Sequence, residues 1–367
     1  MAFAGPAKSR YPERLNNRMA SKGVIALDAM GGDHAPASVL HGADTAAERF
    51  PDLNWLVVGD DAQIRPLLDK LPRLAGRVEV LHTESRIADT ERPSVALRSG
   101  RQSSMWLAIQ AVQEGRAQAV VSGGNTGALM AIARFILRSP PGIVRPAIIS
   151  FFPTARGETA MLDLGANIDC DAEQLVQFSV MGAVFARSVL GLPHPTVGLL
   201  NVGVEDMKGN DEIRSAAQRL REGVFPFKFH GFVEANEIGR GAVDVVVSDG
   251  FTGNVALKMA EGTSELYSHF LREAFNASWM AKIGYLLAKR TLSQLRSRVD
   301  PRRYNGAVFA GLNGVVVKSH GGTDAFGFAN AIGVAADMVQ QGFMEDIRKE
   351  CERLNWEPGT ATPAASA

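Results

Sequence analysis

The stretch Val120–Ala131 combines the end of an apolar strand, a glycine-rich turn and the start of an apolar helical pattern. Its glycines allow a tight turn and the close approach of a ligand to the main chain. Asn125 or Thr126 can cap the helix, whose free N–H groups attract an anion. Val246–Val255 repeats the sequence, and both segments read V-V-S-x-G-x-T-G. One such turn often has a purely structural role, but two of them predict a single anion site built from both.

Apolar strands alternate with amphipathic helical segments from residue 23 onward. This alternation predicts an α/β fold, a three-layer α/β/α Rossmann-like arrangement with a mostly parallel sheet. Right-handed crossovers put every strand–helix loop on one edge of such a sheet, and ligands bind outside the carboxyl ends of its strands. We expect a single catalytic domain over residues 23–356, a flexible N-terminal extension over 1–22 and a disordered tail over 357–367.

The balance of charges argues against nucleic acid as a partner. Lys plus Arg and Asp plus Glu both number 39, so the formal net charge is zero, whereas a general nucleic-acid binder is normally basic. The two cysteines, Cys170 and Cys351, make no disulfide framework, which fits a reducing compartment. The sequence shows neither the apolar core of a signal peptide nor an apolar run of about 18 residues. We therefore expect a cytoplasmic protein.

The segment Ser264–Arg303 departs from the alternation, because it has a helical pattern throughout and no strand. Apolar side chains recur every four residues, which indicates one helical face, and lysines and arginines are concentrated in the later half. We expect an amphipathic helical hairpin that projects from the domain. Such a face can lie on an anionic membrane, form a dimer interface or cap the core. The recurring residues are Tyr267, Leu271, Phe275, Trp279 and Ile283.

Polar residues and glycines that directly follow the predicted strands are the candidates for chemistry. Glycines, amides and a few lysines dominate this set, and backbone and amide N–H groups suit a tetrahedral anion or an oxyanion. The sequence shows no Ser-His-Asp set and no metal-ligand spacing, so we expect no metal, and a magnesium site ranks lower than an anion site. The candidates are Asp28, Gly31, Gly32, Asn125, Thr126, Asp163, Asn167, Lys208, Asn210, Asp249, Asn254 and His320.

Each candidate also has an ordinary structural interpretation. Lys208 stands between a strand and a helix, where a cation can meet an anion, but it can equally be a solvated loop lysine. Asn254 can cap its own helix, and the aspartates can make loop and cap hydrogen bonds. His320 can act as a general acid or base, or it can bond to a neighbouring loop. Arg98 and Arg101 precede two serines and suit an oxyanion, but they are also typical exposed helix arginines.

Several long motifs together resemble the bacterial phosphate acyltransferase family of phospholipid synthesis. The motifs are Ile25–Asp33, Val121–Ala131, Leu162–Cys170, Gly198–Asn210, Asp244–Lys258 and Ser319–Gly321. The resemblance implies transfer of a long-chain acyl group from acyl carrier protein to inorganic phosphate, which gives acyl phosphate for phospholipid synthesis. It also implies a homodimer without a cofactor, peripheral attachment to the inner face of the plasma membrane, and a downstream glycerol-phosphate acyltransferase that takes the product.

The resemblance also implies roles for residues. Phosphate is itself the nucleophile of this reaction, so the protein needs only to bind the dianion, aim it and stabilise the tetrahedral oxyanion. Lys208 is then expected to supply charge to the phosphate or the oxyanion, and Asn254 a hydrogen bond. The acyl chain requires an apolar groove that runs toward residues 264–303, and these are expected to meet the membrane. The expected phosphate cradle consists of Gly31, Gly32, Asn125, Thr126 and Asn167.

Three other functions share parts of the pattern. A phosphate acetyltransferase-like enzyme that uses acyl-coenzyme A carries out the same type of reaction. A metal-dependent decarboxylating dehydrogenase uses a similar sheet and would need magnesium and NAD. A non-catalytic scaffold bound to a membrane would use only the apolar face of residues 264–303.

Overall fold

The computed structural model describes residues 23–298, 300–354 and 356, with only the backbone at 294–298. The expected extension at 1–22 and the expected tail at 357–367 lie outside the described residues. The strands, in chain order, are β1 (Val24–Asp28), β2 (Asn54–Gly59), β3 (Val78–His82), β4 (Ala119–Ser122), β5 (Ala147–Thr154), β6 (Gly157–Leu162), β7 (Thr196–Leu200), β8 (Lys228–Val233), β9 (Val245–Val247), β10 (Ala307–Ala310) and β11 (Val315–Lys318). The helices are α1 (Ala37–Arg49), α2 (Asp61–Leu68), α3 (Pro93–Ser99), α4 (Ser104–Gln113), α5 (Thr126–Leu137), α6 (Ala172–Leu190), α7 (Asp211–Glu222), α8 (Ala235–Ile238), α9 (Gly250–Asn276), α10 (Trp279–Arg298), α11 (Ala325–Gln340) and α12 (Phe343–Arg353).

The strands form one sheet with helices on both faces, in the order β3-β2-β1-β4-β11-β10-β5-β6-β9-β7-β8. Side chains alternate between the two faces along each strand. On one face, Leu27 packs in a core with Phe178 of α6 and Phe328 of α11. On the other face, Val120 packs with Leu129 of α5 and with residues of α4. The predicted three-layer α/β/α arrangement is confirmed.

Two groups of parallel strands run in opposite directions within this sheet. β1, β2, β3, β4 and β11 form one group, and β6, β7, β8 and β9 form the other. Between them, β10 pairs antiparallel with both β11 and β5, and β5 pairs antiparallel with β6. The expectation that all strand–helix loops share one edge is therefore wrong. The rule of right-handed crossovers applies only to parallel strands joined through a connecting segment. The β5–β6 hairpin reverses the strand direction, so the strands after it end at the opposite edge of the sheet.

α9 and α10 form the expected helical hairpin, which begins at Gly250, earlier than predicted. The chain leaves the helical path at residues 277–278, so the predicted four-residue stripe is divided between two helices. The rings of Phe275 and Tyr285 contact each other across the hairpin, with centroids 5.2 Å apart. Large apolar side chains such as Leu287 remain exposed on α10. Among the described helices, none has the length and apolar character that crossing a membrane requires.

Candidate active site

The candidate residues fall into two clusters at the carboxyl ends of neighbouring strands. The first cluster follows β1, β4 and β11 and comprises Asp28–Asp33, Ser122–Thr126 and Lys318–Gly322. The second cluster follows β6, β9 and β7 and comprises Asp163–Asn167, Asn201–Asn210 and Ser248–Asn254. The two V-V-S-x-G-x-T-G turns therefore lie in different clusters, one at the end of β4 and one at the end of β9.

Asp28 is the buried centre of the first cluster. Its Oδ1 accepts a hydrogen bond from Ser104 Oγ, and its Oδ2 accepts one from Ser122 Oγ, each at 2.6 Å. Burial raises the pKa of Asp28, while the two hydroxyl bonds, the Met30 N–H and the charge of Lys318 act in the opposite direction. The side chain is fully engaged in joining β1 to β4 and to the start of α4, so it organises the cluster.

The glycines of the first cluster serve close packing of main chain on main chain. A Cβ at Gly31 would lie 2.5 Å from Asp28 Oδ2 and 2.7 Å from the Gly124 nitrogen. Gly32 has a φ of +109°, and a Cβ there would lie 2.9 Å from the carbonyl oxygen of Gly321. The turns after β1, β4 and β11 are therefore held together by their backbones, and a side chain at either position would separate them.

Asn125 is the N-cap of α5. Its Oδ1 accepts from the Ala128 N–H at 2.9 Å, and its Nδ2 donates to the carbonyl oxygens of Asp89 and Glu91 at 2.7 and 3.0 Å. Thr126, the first residue of the helix, is exposed. The capping interpretation of Asn125 is confirmed, and the cap fixes the helix N-terminus beside the first cluster.

Lys318 belongs to the first cluster and was missed by the sequence analysis. Its Nζ donates to the carbonyl oxygen of Gly123 at 3.2 Å and makes a shorter bond to that of Ser319. Burial lowers the pKa of this amine to about 8, against the opposing influence of Asp89, Asp28 and Asp33. The only sequence signal is a lysine at the end of an otherwise apolar strand.

His320, two residues later, is exposed and bonded to its own loop. Its backbone N–H donates to Asn305 Oδ1 at 2.8 Å, and its Nδ1 accepts from the Gly322 N–H at 3.2 Å. The imidazole therefore bonds within its own loop, whereas the sequence suggested a bond to a neighbouring loop, and its role as a general acid or base stays a prediction. In a neutral imidazole, an Nδ1 that accepts leaves the proton on Nε2.

Asp163 organises the second cluster as Asp28 organises the first. Its Oδ1 accepts from the N–H groups of Ile148, Gly165 and Ala166 at 2.9, 3.2 and 3.1 Å. Its Oδ2 accepts from the backbone N–H and the Nδ2 of Asn167 at 2.7 and 2.9 Å. Burial raises the pKa of Asp163, and these donors oppose the shift. Both side chains are buried and shape the loop after β6, which matches the structural interpretation of the aspartate.

Asn254 bonds to that same loop and does not cap its own helix. Its Nδ2 donates to the carbonyl oxygen of Leu164 at 2.9 Å. Asp249 is the cap of α9 instead, because it accepts from the N–H and the hydroxyl of Thr252 at 2.8 and 2.7 Å. The Gly250 N–H donates to the Asn167 carbonyl at 2.7 Å, which ties the ends of β9 and β6 together.

Lys208 is exposed in the loop after β7, the strand next to β9. The loop is fixed by its backbone, since Asn201 Nδ2 donates to the Lys208 carbonyl at 3.2 Å and Asn210 Oδ1 accepts from the Ile213 N–H at 2.8 Å to cap α7. Within the part of the chain that the structure describes, no carboxylate oxygen lies within 4.0 Å of the Lys208 amine. An uncompensated cation therefore stands at the same edge as Asn254.

The strands that lead into the two clusters share a core, since Val120 of β4 and Met161 of β6 belong to it. The ends of β4 and β6 are at nearly the same level, because the register runs from Val121 across β11 and β10 to Ile149, while Met161 pairs with the next residue of β5. The two clusters flank β10 and β5, and because β4 and β6 run in opposite directions the chain leaves them toward opposite edges of the sheet.

The groups offered by the two clusters are N–H groups, hydroxyls, amides and amines, while the buried carboxylates are already bonded. Among the described residues, no group of three or more His, Cys, Asp or Glu side chains is placed to hold a metal ion. Donors of this kind suit a phosphate or an oxyanion. A strip of exposed apolar side chains lies beside the second cluster and continues along α9. Its members are Val202, Met207, Phe251, Val255 and Met259.

Comparison with known proteins identifies relatives along almost the whole chain. The model of the family described as fatty acid synthesis protein matches residues 24–346. The chain is 62% identical over 336 residues to the phosphate acyltransferase of Rhodospirillum centenum, covering 92% of this chain and 95% of that protein. It is 56% identical over 349 residues to the phosphate acyltransferase of Paramagnetospirillum magneticum, covering 95% and 99%.

Two solved structures share the fold at low sequence identity. The EutD phosphotransacetylase of Staphylococcus aureus superposes with a TM-score of 0.56 at 19% identity, over 86% of this chain and 94% of that one. A phosphotransacetylase of Streptococcus pyogenes does so with a TM-score of 0.57 at 17% identity, over the same shares. With relatives above half identity over nine-tenths of its length, the chain belongs to the phosphate acyltransferase family of bacterial phospholipid synthesis.

Proposed function

We propose that this acyltransferase moves a long-chain acyl group from acyl carrier protein to inorganic phosphate. A phosphate oxygen attacks the thioester carbonyl carbon, and the C–S bond breaks as the tetrahedral intermediate collapses. The products are acyl phosphate and the carrier-protein thiol. The observation that carries the proposal is the pairing of Lys208 and Asn254 at the carboxyl ends of adjacent strands, one an unneutralised cation and the other an amide donor.

Each of the two residues has a defined contribution. The Lys208 ammonium attracts the phosphate dianion and offsets charge that develops on the thioester oxygen. Asn254 uses one Nδ2 hydrogen on the Leu164 carbonyl, so the second hydrogen remains for an oxyanion. The N-termini of α7 and α9, capped by Asn210 and Asp249, present further N–H groups at the same edge. Phosphate is the nucleophile, so no acyl-enzyme is formed.

Substitution of the two residues tests this assignment. Lys208→Ala and Asn254→Ala should each fold normally and lose about 3 kcal/mol of transition-state stabilisation, a few-hundredfold in kcat. Turnover is measured as phosphate-dependent release of free carrier protein from palmitoyl carrier protein. Lys228→Ala, an exposed lysine at the start of β8, is the matched control and should keep wild-type turnover. Near-full turnover in both site variants would show that the reaction is carried out elsewhere.

A coenzyme A thioester is the alternative acyl donor, and the fold shared with two phosphotransacetylases favours its consideration. We expect kcat/KM to be higher with palmitoyl carrier protein than with palmitoyl-coenzyme A. The exposed apolar strip beside the second cluster supports a long acyl chain in either case. A preference for the coenzyme A thioester would leave the site intact and change the assigned donor.

We further propose that the hairpin α9–α10 holds a homodimer of this enzyme at the inner face of the plasma membrane, where its amphiphilic product passes to a glycerol-phosphate acyltransferase. The support is the exposure of Leu286 and Leu287 on a helix rich in lysine and arginine. Leu286→Glu should reduce co-sedimentation with anionic vesicles several-fold, because a carboxylate on the apolar face meets both lipid and negative charge. Thr263→Glu, at an exposed polar position, is the control. Unchanged sedimentation of Leu286→Glu would exclude this surface.

A further inference from the structure

A groove on the outer surface of α3, α4 and α5 has no role in the proposed reaction so far. Its volume is about 790 Å³, and Leu97, Trp106 and Phe135 are among its lining residues. Phe135 is 58% exposed, and its ring lies 5.8 Å from that of Trp106. An exposed phenylalanine that packs on a buried tryptophan in a concave surface is typical of a site that binds a protein partner.

Four arginines line or border this groove. Arg134 and Arg138 line it, while Arg98 and Arg101 are exposed on the adjacent turns. The Arg101 guanidinium lies 6.0 Å from the centroid of the Trp106 ring. No ion pair within 4.0 Å joins any of these arginines to a carboxylate in the described ranges 23–298, 300–354 and 356. Since the whole chain has a net charge of zero, such a local excess of positive charge favours an acidic partner.

The groove is connected to the first cluster by two of its helices. Ser104, at the start of α4, donates to Asp28, and Trp106 lines the groove only two residues later. α5 begins at Thr126 in the first cluster and leads to Arg138, roughly 18 Å away at 1.5 Å per residue. A partner seated in the groove would thus stand about one helix length from the first cluster, a separation that an extended prosthetic arm has to bridge.

We propose that this surface, the arginine groove, docks the acidic face of acyl carrier protein while its thioester-bearing arm reaches over α4 and α5 toward the two clusters. The proposal rests on the proposed function, because it names where the acyl donor of that reaction binds. Phe135, supported by the buried Trp106 ring, provides the apolar contact, and the arginines provide orientation and a fast, salt-dependent encounter. Docking and chemistry are then carried by separate residues.

Charge reversal at the groove tests the docking surface. The double variant Arg134→Glu with Arg138→Glu should weaken binding of holo-acyl carrier protein, measured by fluorescence anisotropy, by roughly tenfold or more at low salt. KM for palmitoyl carrier protein should rise by a similar factor, while turnover of palmitoyl-pantetheine, which lacks the protein, stays at the wild-type value. The matched control is Lys70→Glu with Arg348→Glu, at exposed positions in the turn after α2 and on α12, which pack on the other face of the sheet.

The outcomes separate this proposal from the proposed function. Wild-type binding and KM in the Arg134/Arg138 variant, with the reaction intact, would overturn the docking surface alone. An equal loss with palmitoyl-pantetheine would assign the arginines to the reaction centre and also overturn docking. A loss of vesicle binding with carrier binding unchanged would assign the groove to the membrane. Absence of any acyl transfer to phosphate in the wild type would overturn the proposed function, while the anisotropy measurement would still decide the docking surface.

Discussion

At the scale of single residues, the charge of Lys318 decides how the first cluster responds to pH. Its amine is mostly buried and holds the carbonyl oxygens of Gly123 and Ser319, and its pKa is lowered to about 8 from the ordinary 10.5. Below about pH 8 the folded protein carries the cost of a buried ammonium. Above it the folded lysine loses its proton while the unfolded one keeps it until about pH 10.5.

This difference predicts a pH-dependent stability. Between about pH 8 and pH 10.5 the unfolded state binds more protons than the folded state. The free energy of unfolding of the wild type should therefore rise across that window, relative to that of Lys318→Met, by at most about 3 kcal/mol. Urea unfolding of both proteins at several pH values measures the rise. Lys70→Met, at an exposed position, should show no such trend. A difference that stays constant across the window would mean that Lys318 titrates like a lysine in water.

The candidate residues at strand ends could be predicted from the sequence, whereas the residues that contact them in the fold could not. Asp28 and Asp163 were singled out because they directly follow apolar strands, a local signal. The partner of Asp28, Ser104, is 76 residues away in sequence, and no spacing rule connects the two. Lys318 was missed because a lysine that ends a strand is typical of a solvated edge, and only the packing of three glycine turns around it buries the amine.

At the scale of elements, the helix α9 links the second cluster to the projecting hairpin. Its N-terminus is fixed by Asp249, and Asn254 occupies its first turns. The same 27-residue helix then carries the exposed apolar side chains of the hairpin. Loss of the Asp249 cap is therefore expected to displace Asn254 before it affects the exposed part of the helix.

Removal of this cap separates stability from activity. Asp249→Ala should lower the free energy of unfolding by about 1 kcal/mol, the usual effect of losing an N-cap, and should also lower kcat because Asn254 loses its fixed position. Asp60→Ala removes the N-cap of α2, which follows β2, and six strands separate β2 from β9 in the sheet; this variant should reduce stability by a similar amount with kcat unchanged. Equal kcat values in the two variants would show that the position of Asn254 does not depend on the cap.

Element boundaries were largely predictable, whereas strand direction was not. The apolar spacing from about Ala172 to Leu190 predicts a helix, and α6 occupies this range, because the spacing and the turn residues at both ends are local signals. The antiparallel strand β10 has four residues and was not identified. Because β10 pairs antiparallel with its neighbours and β5 and β6 form a hairpin, the second group of parallel strands runs opposite to the first. This arrangement depends on pairing between segments that are distant in sequence.

At the scale of the whole molecule, two groups of parallel strands run in opposite directions, and each group leads into one of the two clusters. The predicted single rim does not exist, but the clusters flank the same two central strands, β10 and β5. The alternation of strands and helices predicted the three-layer fold correctly, and the resemblance of the motifs predicted the family correctly. The proposed reaction assigns all bond making to bound phosphate, with Lys208 and Asn254 supplying charge and hydrogen bonding.

Release of carrier protein in the first turnover, with and without phosphate, tests this claim most directly. Enzyme in molar excess is mixed rapidly with palmitoyl carrier protein, and the free carrier thiol and the acyl product are followed in time. Direct attack by phosphate predicts no thiol release without phosphate, and equal amounts of thiol and palmitoyl phosphate when phosphate is present. A burst of thiol in the absence of phosphate, with the acyl group bound to the protein, would show a covalent acyl-enzyme and contradict the account.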